Sequence, residues 1–171
     1  MSDLINLLTP DRCVRSVADI DVAELSARGI RAVLLDLDNT LTEWQREAIS
    51  PGAAGWLDAL RASGMRLCLV SNTRFGKRLR RLSAAWNIPF VPRASKPGSR
   101  GFQEAMRMLG VGPTETAMVG DQMFTDVLGG RRAGLYTIMV EPLAPREFVG
   151  TKLSRGLEWL VLRYLRKKGR I

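Results

Sequence analysis

Short apolar runs alternate with longer amphipathic stretches along most of the chain. Ala32-Val33-Leu34-Leu35 runs into Asp36, Leu67-Cys68-Leu69-Val70 into Ser71, and Thr116-Ala117-Met118-Val119 into Gly120-Asp121. Ile88-Pro89-Phe90-Val91 is a weaker run, and Tyr136-Thr137-Ile138-Met139-Val140 ends the series. Near-continuous apolar runs of this length suit strands covered on both faces, as in a parallel sheet. Between them the pattern predicts four helices. The first follows Ser50 as cap with Pro51 in its first turn and stops at Ser63-Gly64. The others cover about 75–86, from Pro97–Ser99 to Gly110, and about 123–133 before Gly134. The alternation predicts an α/β fold, a Rossmann-like, doubly wound, mainly parallel sheet of five strands. Residues 1–30 read as an N-terminal extension with a short helix near 21–28, 31–150 as the main domain, and 151–171 as a basic amphipathic C-terminal helix.

Composition narrows the chemistry. The 171 residues include no histidine, which excludes Ser-His-Asp and Cys-His triads, a histidine base and histidine metal ligands. Two cysteines, Cys13 and Cys68, are too few for a disulfide scaffold or a closed zinc site. The start MSDLINLLTPDR has no basic n-region, and no uncharged apolar run is long enough to span a bilayer. A reducing, cytoplasmic setting is therefore expected.

Charge is uneven along the chain. Residues 1–72 carry 7 basic and 10 acidic side chains, and residues 108–150 carry 3 and 5. Residues 73–107 carry 9 and 1, and residues 151–171 carry 7 and 1, so these two segments set the sign of a molecule with net charge +9.

The strand ends hold the candidate chemistry. In open α/β sheets ligands bind beyond the carboxyl ends of the strands. Asp36, Ser71 and Asp121 each follow a predicted strand. Asp36 and Asp38 flank a leucine in DLDNTL, so an extended backbone starts both carboxylates on one face. Two carboxylates this close repel unless a cation lies between them or one takes a proton, and a hard divalent ion such as Mg²⁺ satisfies that need through oxygen. Acids at a strand–turn junction are also common for reasons of turn chemistry alone. Asp121 and Asp126 in VGDQMFTD, Ser71-Asn72-Thr73, and Lys96 in ASKPG, at the expected start of a helix, shift the balance toward a site.

This ordered set of motifs, spread over residues 30–140, resembles the haloacid dehalogenase-like (HAD) superfamily of phosphatases. The resemblance implies that Asp36 is the nucleophile, forming an aspartyl-phosphate, and that Asp38 is the general acid and then the base. Thr40 would hold the loop and, with Ser71, Asn72 and Lys96, make up the phosphate-binding set. The implied metal residues are Asp36, Asp38 (through its backbone carbonyl), Asp121 and Asp126, with Mg²⁺ as cofactor. No histidine is needed for such phosphoryl transfer.

Only 33 residues separate Asp38 from Ser71, and 25 separate Lys96 from Asp121, which leaves no room for a cap domain in either interval. An open site suits a phosphate presented on a large surface. Arg74, Lys77, Arg78, Arg80 and Arg81 follow the Ser71 loop, while Arg93 and Arg100 flank Lys96. These cations would steer anionic substrates, or form a solvated helix face. In the C-terminal helix, Leu153, Leu157, Leu160, Val161 and Tyr164 form an apolar stripe, with Trp159 and Leu162 outside it and Lys152, Arg155, Arg163, Arg166 and Arg170 opposite. That stripe packs on the domain, or the helix lies on an anionic membrane with Trp159 as an interfacial anchor.

The capless layout with SNT, ASKPG and GDQMFTDV resembles subfamily IIIA, the YqeG-type group, which is similar to the mitochondrial phosphatidylglycerophosphate phosphatase. That resemblance implies removal of the terminal phosphate of phosphatidylglycerophosphate to give phosphatidylglycerol, with a phospholipid partner and peripheral contact at the inner face of the membrane. Two alternatives stand beside it. One is a phosphatase of soluble esters such as sugar phosphates or nucleotides. The other is a basic nucleic-acid-binding protein on the same scaffold, which the low aromatic content disfavours.

Overall fold

A computed structural model describes residues 2–73, 76–144 and 149–171, giving the backbone alone for residues 2 and 149–155. In chain order the elements are α1 (Ser2–Leu8), β1 (Arg12–Val14), α2 (Val22–Ala27), β2 (Ala32–Leu35), α3 (Pro51–Ala62), β3 (Arg66–Val70), α4 (Gly76–Trp86), β4 (Phe90–Val91), α5 (Arg100–Leu109), β5 (Thr116–Gly120), α6 (Leu128–Arg132), β6 (Tyr136–Val140) and α7 (Val149–Lys167). Local chemistry sets several boundaries. Ser50 accepts a hydrogen bond from the Ala53 N–H at 3.3 Å, with Pro51 in the first turn of α3. Gly110, at φ 63°, ends α5 in the left-handed conformation.

All strand pairings are parallel, in the order β1-β6-β5-β2-β3-β4. The sheet has six strands rather than the five expected. The additional strand, β1, comes from the segment read as an extension. It is three residues long, carries Arg12 and Cys13, and pairs with β6 alone, so no apolar run announces it. Asp11 fastens this edge, accepting from the Thr137 N–H at 2.8 Å and from Thr137 Oγ1 at 3.0 Å.

Alternation along the strands divides the core into two faces. Val33, Leu35, Leu67, Leu69 and Val119 pack with Leu57 and Leu60 of α3 and Leu79 and Leu82 of α4. Leu34, Cys68, Val70 and Met118 face Phe102, Ala105 and Met106 of α5. The Cys68 thiol is pushed up to about 12 by its burial, which makes it a packing residue without nucleophilic character. Under β6, Met139, Leu8, Val127, Leu128 and Leu165 form a third cluster that joins α1, α6 and α7.

The central strand β2 lies between β3 and β5. The chain first builds outward through β3 and β4, then returns to β5 and β6 on the other side. That reversal leaves a crevice at the carboxyl ends of β2 and β5, where such sheets bind ligands. The Asp36 N–H donates to the Val119 carbonyl at 2.9 Å, extending the ladder one residue beyond β2 and fixing Asp36 at the crevice.

Candidate active site

Four chain segments meet at this crevice. Beyond β2 the chain turns through Asn39, whose φ of 63° is the left-handed geometry that asparagine tolerates, and Asp38 and Ile49 both bridge to Thr42. This 36–50 excursion is compact. Among the described residues, the intervals expected to lack a cap hold only the elements of the sheet fold.

Lys96 is the hub. Its ammonium lies 2.5 Å from Asp36 Oδ1 and 2.6 Å from Asp126 Oδ1, and its side chain is 2% exposed. Contrary to the sequence expectation, it does not start a helix but sits in the turn after β4, with α5 beginning at Arg100. Asn72 places it: the Asn72 amide donates to the Lys96 carbonyl at 2.9 Å and accepts from the Lys96 N–H at 2.8 Å. Asn72 thus holds the lysine backbone. Ser71 Oγ accepts from the Thr73 N–H at 3.1 Å, which occupies a lone pair and not the hydroxyl proton. Thr40 Oγ1 leans on Asp121 Oδ1 at 3.4 Å.

Asp126 reaches the cluster through a π-turn over Met123–Val127, in which the N–H groups of Asp126 and Val127 both point to the Gln122 carbonyl, at 2.9 and 3.3 Å. Its Oδ2 accepts from the Gln122 N–H at 3.1 Å. Gly120 makes this possible, because a Cβ there would overlap the Asp126 carboxylate.

Asp36, Asp121 and Asp126 are all buried and offer carboxylate oxygens within 4.8 Å of one another. Burial pushes the Asp36 carboxyl up to about 7 against the pull of Lys96, with Asp126 and Asp38 adding to the rise. Burial works to lower the Lys96 ammonium, but Asp126 and Asp36 outweigh it and hold the group above its usual value, fully charged. One lysine thus lies within ion-pair reach of two of the three buried carboxylates. Asp126 Oδ1 also makes no hydrogen bond of good geometry beyond its ion contact with Lys96. An all-oxygen donor set of this kind, three carboxylates within 4.8 Å of one another, fits a hard divalent cation.

Asp38 is placed differently from its neighbour. Its carboxylate is not part of the trio. Oδ1 accepts from Arg78 Nη1 at 2.8 Å and from the Gln45 N–H at 3.1 Å. Arg78 also donates to Thr42 Oγ1 at 3.0 Å and to the Arg46 carbonyl, so it stitches the 38–46 segment to α4. Sequence offered a cation cluster that steers anionic substrates or a solvated helix face here, not this contact. The contact spans 40 positions, and nothing local signals it. Arg81 pairs with Glu47, while Arg93 and Arg100 are exposed. Arg74 lies outside the described residues.

A second unforeseen residue is Glu158 of α7, which is buried and accepts from the Met123 N–H at 2.9 Å, tying the helix to the turn that carries Asp126. A groove of about 650 Å³ opens between Trp159, Leu162 and Arg166 of α7 and the ends of β1 and β6. It is lined by none of the carboxylate trio. No helix among the described residues is long and apolar enough to cross a membrane.

The sequence profile of the haloacid dehalogenase-like hydrolases matches residues 23–134. A probable phosphatase, YqeG of Bacillus subtilis, is 35% identical over 95% of this chain and 94% of its own length. The chloroplastic phosphatidylglycerophosphate phosphatase 1 of Chlamydomonas reinhardtii is 31% identical over 90% of this chain, which spans only 60% of that protein. Among solved structures, the cobalt-bound deoxy-D-mannose-octulosonate 8-phosphate phosphatase of Haemophilus influenzae superposes with a TM-score of 0.52 at 20% identity, over 80% of this chain and 89% of that one, a likeness of fold.

Proposed function

The chain belongs to the haloacid dehalogenase-like hydrolases and is a phosphoric monoester hydrolase, and from that premise we propose that it is a Mg²⁺-dependent phosphatase that works through an aspartyl-phosphate and acts on phosphatidylglycerophosphate at a membrane surface. The observation that carries the reading is the buried Asp36–Lys96–Asp126 ion chain beside Asp121 at the sheet crevice. Asp36 attacks phosphorus, forming the acyl-phosphate bond as the ester P–O bond breaks. Asp38 gives its proton to the leaving oxygen. It then takes a proton from the water that attacks phosphorus and releases Asp36. Arg78 and the Gln45 N–H hold Oδ1 of Asp38, which leaves Oδ2 to face the leaving group. The Ser71 hydroxyl and the third proton of the Lys96 ammonium hold phosphoryl oxygens. Thr40 and Asn72 act through Asp121 and Lys96. Mg²⁺ held by Asp36, Asp121 and Asp126 would neutralise phosphoryl charge.

The lipid substrate is supported by the relative named for phosphatidylglycerophosphate, by the uncapped crevice and by the basic segments that flank it. This reading places the protein in the cytoplasm, peripheral at the inner face of the membrane. A substrate panel under Mg²⁺ tests it, comparing phosphatidylglycerophosphate in mixed micelles with sugar phosphates, nucleotides and phosphopeptides. Faster phosphate release from the lipid is expected, with loss of all turnover in excess chelator and a fall of ~10³-fold or more in Asp36→Asn. Equal or faster release from soluble esters would move the substrate to that class. Turnover that survives Asp36→Asn would sink the mechanism.

A further inference from the structure

The apolar residues of α7 form two stripes, and the structure uses only one of them. Val161, Leu162 and Leu165 pack into the cluster of Leu8, Met123, Val127 and Leu128, with Glu158 on the same face, at the i, i+3, i+4, i+7 spacing of a docked helix. The stripe read from the sequence is split: its member Val161 docks, together with Leu162, which lies outside it. Leu157, Leu160 and Tyr164 point away from the domain and are 54, 56 and 44% exposed. Leu153, the remaining member, has a side chain outside the described set. Trp159 is 57% exposed and carries the Arg163 guanidinium 5.4 Å from its ring centroid. On the helical wheel, Arg163, Lys167 and Lys168 border the outward apolar stripe, and all three are exposed.

We propose that the outward face of α7, built on Leu157, Leu160 and Tyr164 and rimmed by Arg163, Lys167 and Lys168, is a docking surface for an anionic phospholipid bilayer. Three large apolar side chains in contact with water are a cost that a bilayer interface removes. The charge selects the occupant. A second copy of the chain would set this basic rim against itself, because the one acid of α7, Glu158, is buried against Met123. Anionic headgroups match the rim, and each lysine or arginine near such a surface adds attraction. The helix lies on the surface and does not span it. Because Glu158 joins α7 to the 123–127 turn, the docking face and the carboxylate crevice belong to one packed body. The inference rests on the lipid-phosphate reading for its purpose, but its binding test is independent of turnover.

The test is co-sedimentation of the full chain with vesicles of phosphatidylcholine, alone or mixed with phosphatidylserine. Phosphatidylserine carries no phosphate monoester, so the catalytic crevice has no substrate to hold. The expected result is binding tighter by ~tenfold or more to the mixed vesicles, weakening as salt rises. Leu157→Gln with Leu160→Gln should lower that binding by ~tenfold or more, while circular dichroism and turnover of a soluble phosphate ester stay at the wild-type level. Lys167→Glu with Lys168→Glu should remove the preference for phosphatidylserine. Binding that is absent in the wild type, or equal in wild type and the leucine variant, overturns the proposal. So does a concentration-dependent dimer that the leucine variant abolishes, since it gives the face to a second copy. A wild type that binds vesicles but hydrolyses no ester fails the phosphatase reading and leaves the docking surface standing.

Discussion

The crevice and α7 depart from the usual partition of residues in opposite directions. At the crevice three carboxylates and one ammonium are taken out of water. On α7 two leucines, a tyrosine and a tryptophan are left in it. Each departure is unfavourable by itself, since buried charge loses hydration and exposed apolar surface orders water. In the readings proposed above, each is also the complement of something outside the chain, a divalent cation in one case and an anionic lipid surface in the other. The difference lies in how tightly the fold holds the exception. The crevice is fixed by strand ends, an asparagine clamp and a glycine contact. The outward stripe of α7 is held only by the helix it rides on.

Removing the ammonium should break this contrast most strongly. Lys96→Ala leaves Asp36 and Asp126 facing each other in a dry site, and should destabilise the fold by ~3–5 kcal/mol in urea denaturation. Added Mg²⁺ should recover part of that loss by binding the native state. A melt unchanged by the substitution would mean that the lysine is not the counter-charge. The two stripes of α7 come next. Leu165→Ala, on the fully buried side, should cost ~2–4 kcal/mol, whereas Leu160→Ala, on the other side, should stay within ~0.5 kcal/mol of wild type. Similar losses at both positions would erase the assignment of docked and outward faces. The smallest effect is expected at Arg78. Arg78→Gln should slow hydrolysis of alkyl phosphates by ~tenfold or more through a misplaced Asp38. Turnover of p-nitrophenyl phosphate, whose leaving group needs little protonation, should fall less. A uniform loss on both esters would give Arg78 a purely architectural part.

These two regions also differ in how far the sequence exposes them. Asp36, Ser71 and Asp121 directly follow the strands β2, β3 and β5, whose apolar runs suit burial on both faces, so their convergence follows from topology. Lys96 and Asp126 needed the motif spacing as well, and their direct contact shows only in three dimensions. Arg78 and Glu158 stayed hidden because their partners lie far away in the chain, Asp38, Thr42 and Arg46 for the one and Met123 for the other. On α7 the spacing points to one stripe, and of its members Leu157, Leu160, Val161 and Tyr164 only Val161 docks, so spacing does not make the choice. The choice is made by Met123, Val127 and Leu8, which lie far away in the chain. Strand β1 was missed for a related reason: an edge strand of three residues takes its identity from Thr137 and Ile138 of its neighbour, not from its own pattern.

The π-turn at Met123–Val127 constrains how this chain can vary. A π-turn holds one residue more than the α-turn it replaces, and here that residue brings Asp126 round to Lys96. Deleting any one position between Gln122 and Val127 would let the segment relax to an ordinary helical turn and swing the following side chains by ~100°. Asp126 would leave the cluster even if every catalytic residue were still present in the chain. Related chains that keep this site should therefore tolerate exchanges of side chain along the segment while conserving its length.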